Sequence, residues 1–230
     1  MSVIPQIAMG VFDANSGLRY KTTIQITNSG LSPVSASAEF FNADGTPLAA
    51  PLETSIGSLS DFVLPANGTA IITAGDFAGG VVGWGRVRAS SHVSITTVFD
   101  ITDAATSEVR SRLWFPPSAT RLRRFVVPRS RNVKTGADAG FAIVNTGSSS
   151  ATFTSTLIDS NGLVLASRTT TLAPHEQLSM LAGAHFGLAG ESSQPSQSVI
   201  VFDSDSAQLA AVGIAFDGTR FLNVPVDPIP

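Results

Sequence analysis

A chain of 230 residues with 14 basic and 17 acidic side chains has a net charge of -3, too small to draw a polyanion or polycation by charge alone, and the absence of cysteine excludes disulfides, thiol catalysis and cysteine-based metal sites. Hydrophobic residues at 43% against 13% charged, with 20 glycines and 13 prolines, suit a globular chain of short strands and many turns and exclude a disordered one. No apolar run reaches the roughly eighteen residues that span a bilayer, so no membrane span is expected; the first residues also lack the basic start and apolar stretch of a signal peptide, as in a chain that is not secreted or in a mature or recombinant form.

Residues 2–9 are apolar and broken by Pro5, which suits an edge strand because proline cannot donate to a sheet ladder. Residues 11–19 read as a Gly/Asn/Asp loop. Residues 20–27 alternate, with Ile24 and Ile26 on one face and Thr23, Gln25 and Thr27 on the other, the period of a half-buried strand that Asn28-Ser29-Gly30 ends. Val34, Ala36, Ala38 and Phe40 then point inward up to the turn Asn42-Ala43-Asp44-Gly45, which predicts a hairpin partner at residues 47–52. Residues 62–64 and 69–74 read as short strands around Pro65-Ala66-Asn67-Gly68. After a strand over residues 81–89 comes the clearest alternation, Val93, Ile95, Thr97 and Phe99 against Ser94, Thr96 and Val98. Residues 110–115 close this half, and Pro116-Pro117 stiffen the exit.

Residues 20–45 are written twice, because a shift of 117 positions lands them without a gap on residues 137–162. Asn28-Ser29-Gly30 falls on Asn145-Thr146-Gly147, and Asp44-Gly45 on Asn161-Gly162. Ile24 and Ile26 fall on Phe141 and Ile143, and the inward Val34, Ala36, Ala38 and Phe40 on Ala151, Phe153, Ser155 and Leu157. Looser echoes follow: Val126-Val127-Pro128 for Val3-Ile4-Pro5, Leu172, Pro174 and residues 177–182 for residues 62–74, and Ala210, Val212, Ile214 and Phe216 for Val93, Ile95, Thr97 and Phe99. The best helical candidate is one turn over residues 183–188, and residues 227–230 form an extended proline-rich tail. The pattern predicts an all-β chain of two tandem Ig-like antiparallel β-sandwich domains related by internal duplication, over residues 1–118 and 124–230, with a linker at 119–123.

An apolar strand ending in Asn-x-Gly, a small-residue strand and then Asp-Gly or Asn-Gly, as over residues 22–45 and 139–162, resembles the Ig-like repeat modules of bacterial surface and exported proteins. The resemblance implies a scaffold or adhesive module without catalysis. It transfers no functional residue, and the cysteine pair and tryptophan of antibody domains are missing.

Catalysis needs convergent titratable groups, and His92, His175 and His185 each fall in a predicted turn or loop, so surface positions are expected. No G-x-S-x-G, H-E-x-x-H or P-loop pattern occurs. Asp159-Ser160-Asn161-Gly162 opens like a calcium loop but lacks its closing glutamate, and Asp203 with Asp205 reads as turn acids; neither a metal nor a cofactor is expected. Eight of the fourteen basic residues lie together: Arg110, Arg112, Arg121, Arg123, Arg124, Arg129, Arg131 and Lys134. The seven arginines are the candidate ligand-binding set, a planar-fork cluster at the domain junction suited to carboxylate, sulfate or phosphate. The competing account keeps them solvated on edge strands, deterring aggregation and pairing with acids across the junction. Trp84 and Trp114 are expected to pack in the core or the junction, with a sugar platform as the alternative.

These features lead to a noncatalytic structural or adhesive module, a subunit of a bacterial surface or extracellular filament assembly, located outside the cell or on its surface. Its expected partner is a second copy or another surface protein, reached through edge strands or through residues 3–8 and 224–230 at the termini. The alternative is a soluble binding module for a polysaccharide or another acidic ligand at the arginine-rich junction; no specific nucleic acid is expected.

Overall fold

Period-two patterning governs nearly all of the regular structure in the computed structural model, which describes residues 1–13, 17–49, 52–74, 80–115, 117–118, 121–132, 134–188, 195–216 and 221–229. The protein is all-β and antiparallel, and it divides into two compact units, Met1–Ser118 and Ala119–Pro230. Among the described residues no helix is long and apolar enough to cross a membrane.

The first unit holds β1 (Ser2–Met9), β2 (Val11–Asp13), β3 (Leu18–Thr27), β4 (Val34–Asn42), β5 (Leu52–Thr54), β6 (Phe62–Leu64), β7 (Thr69–Ala74), β8 (Val81–Ala89), β9 (Ser94–Asp103) and β10 (Val109–Phe115). One sheet runs β1-β8-β4-β6 and the other β10-β9-β3-β7-β5, with β2 on β3. Ile4, Ile7, Phe40, Leu64 and Val87 from the first sheet meet Ile24, Ile26, Ile72 and Ile95 from the second in one buried cluster. The second unit holds β11 (Arg124–Ser130), β12 (Asp138–Asn145), β13 (Ala151–Asp159), β14 (Val164–Leu172), β15 (Gln177–Leu181), α1 (Ala182–His185), β16 (Gln197–Ser204), β17 (Leu209–Phe216), β18 (Phe221–Val224) and β19 (Asp227–Pro228). Its sheets run β14-β13-β16-β11-β19 and β15-β12-β17-β18, and Phe125, Phe153, Leu157 and Phe202 of one bury against Phe141, Ile143 and Ala211 of the other. Strand order is shared: β1-β8-β4-β6 answers to β11-β16-β13-β14, and β10-β9-β3-β7 to β18-β17-β12-β15.

The same polar tie recurs in both cores. Asn28 and Asn145 are each fully buried at the end of an inner strand. Asn28 Nδ2 donates to the carbonyls of Ser32 (2.8 Å), Leu64 (3.2 Å) and Pro65 (2.9 Å), while its Oδ1 accepts from Gly30 N (2.9 Å). Asn145 Nδ2 donates to Ser149 (2.8 Å), Leu172 (3.2 Å) and Ala173 (2.9 Å), and its Oδ1 accepts from Gly147 N (3.0 Å). Each amide thereby closes its own loop and holds the corner at which the chain crosses from one sheet to the other. The crossing needs one left-handed residue, supplied by Asn67 (φ 57°) and by His175 (φ 65°).

Three expectations are corrected, and the two short strands around residues 65–68 are found as expected, with their sheets now assigned. Residues 11–19 are not all loop, because β2 pairs with the start of β3. Among the described residues of 47–52 no strand extends along β4 beyond an isolated bridge, Phe41 to Pro47, and β5 joins β7 in the other sheet. Backbone bonds flank that bridge, from Asn42 N to the carbonyl of Thr46 (2.8 Å) and from Leu48 N to that of Phe40 (2.9 Å), so the hairpin starts and goes no further, whereas β14 pairs with β13 over Val164–Leu172 with one bulge. Strands β6 and β7 flank their turn but belong to different sheets. Ile95 opposes Ile26, yet the residue opposing Ile143 is Ala211, not Val212; Val212 faces Ala142, is half-buried and lies outside the core cluster. The expected echo of Ile95 by Val212 is therefore out of phase by one position, and a one-residue slip reverses the face.

Asn145→Asp is isosteric but removes the NH2 whose two hydrogens are shared among three carbonyls, so all three lose their donor at one corner. The expected loss is about 3 kcal/mol in the unfolding transition of the second unit, read by urea denaturation, with Asn28→Asp doing the same to the first. A loss under about 1 kcal/mol in both variants would contradict the assigned role.

Candidate functional site

The seven candidate arginines do not form one site. Alternation on β11 puts Phe125, Val127 and Arg129 on one phase, so Arg129 points into the second unit and is 2% exposed. Its Nε donates to Asp138 Oδ1 (2.7 Å) and its Nη2 to Asp138 Oδ2 (3.4 Å). Asp138 also accepts from Ala139 N (2.9 Å) and from Gly183 N (2.8 Å), which fixes the single turn of α1 against β12. Arg131 is buried too, with Nη2 3.5 Å from the carbonyl of Leu188. The expectation that all seven stay solvated fails at these two residues.

The other five are exposed. Arg110 contacts Asp103 (3.0 Å) and Glu108 (3.3 Å), and Arg112 holds Asp100 through Nε (2.5 Å) and Nη2 (3.0 Å). Hydrogen bonding to these carboxylates raises the pKa of both guanidinium groups, and Arg110 lowers that of Asp103. Arg124 lies 3.7 Å from Asp203, Arg123 donates to the carbonyl of Ser204 (3.3 Å), and Arg121 sits at φ 66° in the chain leading into β11. The ion pairs just described close within a unit. Arg123 and Arg124 line a shallow cavity of about 600 Å³ together with Thr152, Thr154, Asp203 and Asp205, where the carboxylates oppose an anionic ligand.

Histidine placement also departs from the sequence reading. His92 is exposed and His175 half-buried, but His185 is 1% exposed. Its Nε2 lies 2.7 Å from Ser155 Oγ, and that hydroxyl donates its one hydrogen to the carbonyl of Arg168 (3.0 Å), so Nε2 carries the proton and Nδ1 does not. Nδ1 is buried without a hydrogen-bond partner, and the ring stands edge-on to Phe141 at 5.1 Å. Burial, with a smaller contribution from the Arg168 guanidinium, pushes the imidazole pKa down to about 4. Ser155 is fully buried, so this serine–histidine contact is sealed from solvent and seats α1 on the core. The signal for it was Ser155 on an inward phase between Phe153 and Leu157, a position where a hydroxyl requires a partner.

The turn acids are spent on backbone. Asp159 Oδ1 accepts from Asn161 N and Leu163 N (both 2.8 Å), and Asp44 Oδ1 from Thr46 N (2.9 Å) and Thr46 Oγ1 (2.6 Å); these bonds lower both carboxyl pKa values, against a small opposing desolvation. The tryptophans divide. Trp84 is fully buried and stacks on Phe41 at 4.4 Å, while Trp114 is 58% exposed, so packing accounts for the first only.

No protein-family model matches the chain, and no curated protein matches it. Among solved structures, one of the exo-β-D-glucosaminidase CsxA is 14% identical with a TM-score of 0.20, over 94% of this chain and 27% of that one. The chain spans about a quarter of that protein's length, and a likeness this slight carries no argument.

Two outcomes test these placements. Arg129→Met strands the buried Asp138 and is expected to cost about 3–5 kcal/mol, whereas Arg112→Met leaves the denaturation midpoint unchanged. His185 is kept neutral in the folded state, so below pH 6.5 the unfolded chain takes up a proton that the folded chain refuses. Stability is therefore full above about pH 6.5 and falls toward pH 4, by on the order of 2 kcal/mol after solvent screening, and His185→Gln flattens the slope between pH 6.5 and 5.

Proposed function

We propose that the chain is a noncatalytic structural or adhesive module of a bacterial surface or extracellular filament, made of two Ig-like β-sandwiches that arose by internal duplication. Shared strand order and the matching bonds of Asn28 and Asn145 support the duplication. The noncatalytic reading is supported by the use of polar groups as ties: Ser155 and His185 seat a helical turn, and Arg129 and Asp138 fix it from below. The module works outside the cell or on its surface and meets a second copy or another surface protein.

Of the routes expected, edge strands and the termini, the described structure favours a long edge in the second unit. Strand β1 is paired with β8, and Thr22 Oγ1 closes on both Ala8 N (2.9 Å) and Ala8 O (3.0 Å). Strand β19 is paired with β11. Both terminal strands are thus edge strands held in their own unit's sheet. The observation that carries the proposal is β14, nine residues long and paired on one side only among the described residues, with Leu163 (62% exposed) and Val164 (55% exposed) at its start. A long edge opening on exposed apolar side chains is a template for another strand.

Sedimentation velocity on the full chain tests this. Self-association is expected to rise with concentration and to disappear in Leu163→Lys/Val164→Lys, whose exposed positions leave the fold intact. A wild-type chain that stays monomeric at several hundred micromolar, or a double variant that associates equally, would overturn assembly through this edge.

A further inference from the structure

We propose that the outer face of the β10-β9-β3 sheet in the first unit binds a neutral polysaccharide, with Trp114 as its principal stacking platform. Alternation on β10 buries Leu113 and Phe115 and turns Trp114 outward, where it is 58% exposed. It is the largest exposed apolar side chain among the described residues, and its indole N–H has no partner among them. An indole ring offers a pyranose a flat apolar surface together with a donor at its rim.

Register supplies the polar groups around the ring. Trp114 opposes Val98, which opposes Thr23, whose hydroxyl meets that of Thr73 at 2.9 Å. One row along the strands, Arg112 opposes Asp100, and Asp100 opposes Lys21. Residues two apart on a strand stand about 6.7 Å from each other, so a sugar stacked on Trp114 places its hydroxyls over Arg112 and Asp100. That pair is rigid: Asp100 grips Nε and Nη2 of Arg112, which leaves Nη1 to donate outward and the second lone pairs of the carboxylate to accept. A fixed donor beside a fixed acceptor matches neighbouring hydroxyls on a sugar.

A second exposed aromatic lies on the same face. Phe12 of β2, 54% exposed, opposes Arg19, which shares the outward phase of Lys21 and Thr23; the Arg19 guanidinium lies 6.0 Å from the Phe12 ring. Three strand spacings and four residues separate Phe12 from Trp114, a diagonal of about 20 Å. Two platforms that far apart, joined by charged and hydroxyl side chains, fit a chain of several sugar residues better than a monosaccharide.

The test is native affinity electrophoresis of the full chain in gels containing dextran, galactomannan, xyloglucan or mixed-linkage β-glucan, with heparin as the polyanion control. At least one neutral polymer is expected to retard the wild-type protein, Trp114→Ala to weaken that retardation at least tenfold, and Phe12→Ala to weaken it severalfold. Both side chains are exposed, so the melting temperature should not move. On titration the emission change should come from Trp114 and vanish in Trp114→Ala, since Trp84 is buried against Phe41. Retardation by heparin alone, by none of the neutral polymers, or equally of Trp114→Ala would overturn the proposal. None of these outcomes bears on the β14 edge, whose test reads self-association.

Discussion

One buried amide in each unit sets the terms for the rest of the fold. A sandwich needs its chain to pass from one sheet to the other, and at that crossing backbone carbonyls leave one ladder before they join the next. Left dry and unpaired, each would cost about 1–3 kcal/mol. Asn28 and Asn145 meet three such carbonyls apiece, and their own oxygens take up the N–H two residues on. Because the amide ends an inner strand, the corner, the loop and the register of the neighbouring strands are set together. Asparagine is required by the chemistry: aspartate has no donor, and a hydroxyl has one where three carbonyls are served.

The two units spend their remaining buried polar groups differently. In the first, Thr22 closes the backbone of Ala8 across the sheets, and Trp84 fills the outward side of β8 against Phe41, with Gly83 and Gly85 on either side of it. At Gly83 the constraint is steric, since a Cβ there would fall 2.0 Å from the carbonyl oxygen of Phe41. In the second, a short helical turn is held from two directions, by Asp138 at Gly183 and by Ser155 at His185, and Arg129 neutralises the acid that does the first job. Removing any member strands another in a low-dielectric interior, so the group behaves as one cooperative piece.

Much of this was legible in the residues because strand patterning and turn chemistry are local. The inward phases of Val34 to Phe40 and of Ala151 to Leu157 follow from alternation, and Asn28 and Asn145 stand where a polar residue ends an apolar strand. What escaped was non-local or depended on a single phase count. Arg129 reads as one more surface charge until it is counted from Phe125 and Val127, when it falls on the inward side. His185 sits in a turn that local rules assign to the surface, and only the distant Ser155 and Phe141 explain its burial. The hairpin after β4 makes its turn at Asp44-Gly45 and two backbone bonds around the Phe41–Pro47 bridge, then goes no further, which turn chemistry alone does not foretell. The correspondence of Ile95 with Ala211 was missed because equal spacing was carried through loops of unequal length, and one residue of error reverses a strand's faces. For the arginines, composition gathered them along the chain, but alternating phases and separate strands scattered them.

Where the protein can meet another molecule follows from what the fold has already consumed. Both terminal strands are paired within their own units, the serine–histidine contact is sealed, and the exposed arginines of β10 and β11 face carboxylates. Two of the surfaces left open among the described residues differ in physical kind. The backbone edge of β14 offers hydrogen bonds that any extended chain can complete, so it discriminates little by sequence and suits assembly. The outer face of the first unit offers side chains at fixed lattice spacings, where discrimination comes from matching donors, acceptors and ring faces to a ligand's own repeat. One lies along a strand of the second unit and the other across strands of the first. In the reading proposed above, assembly therefore draws on backbone in the second unit and recognition on side chains in the first.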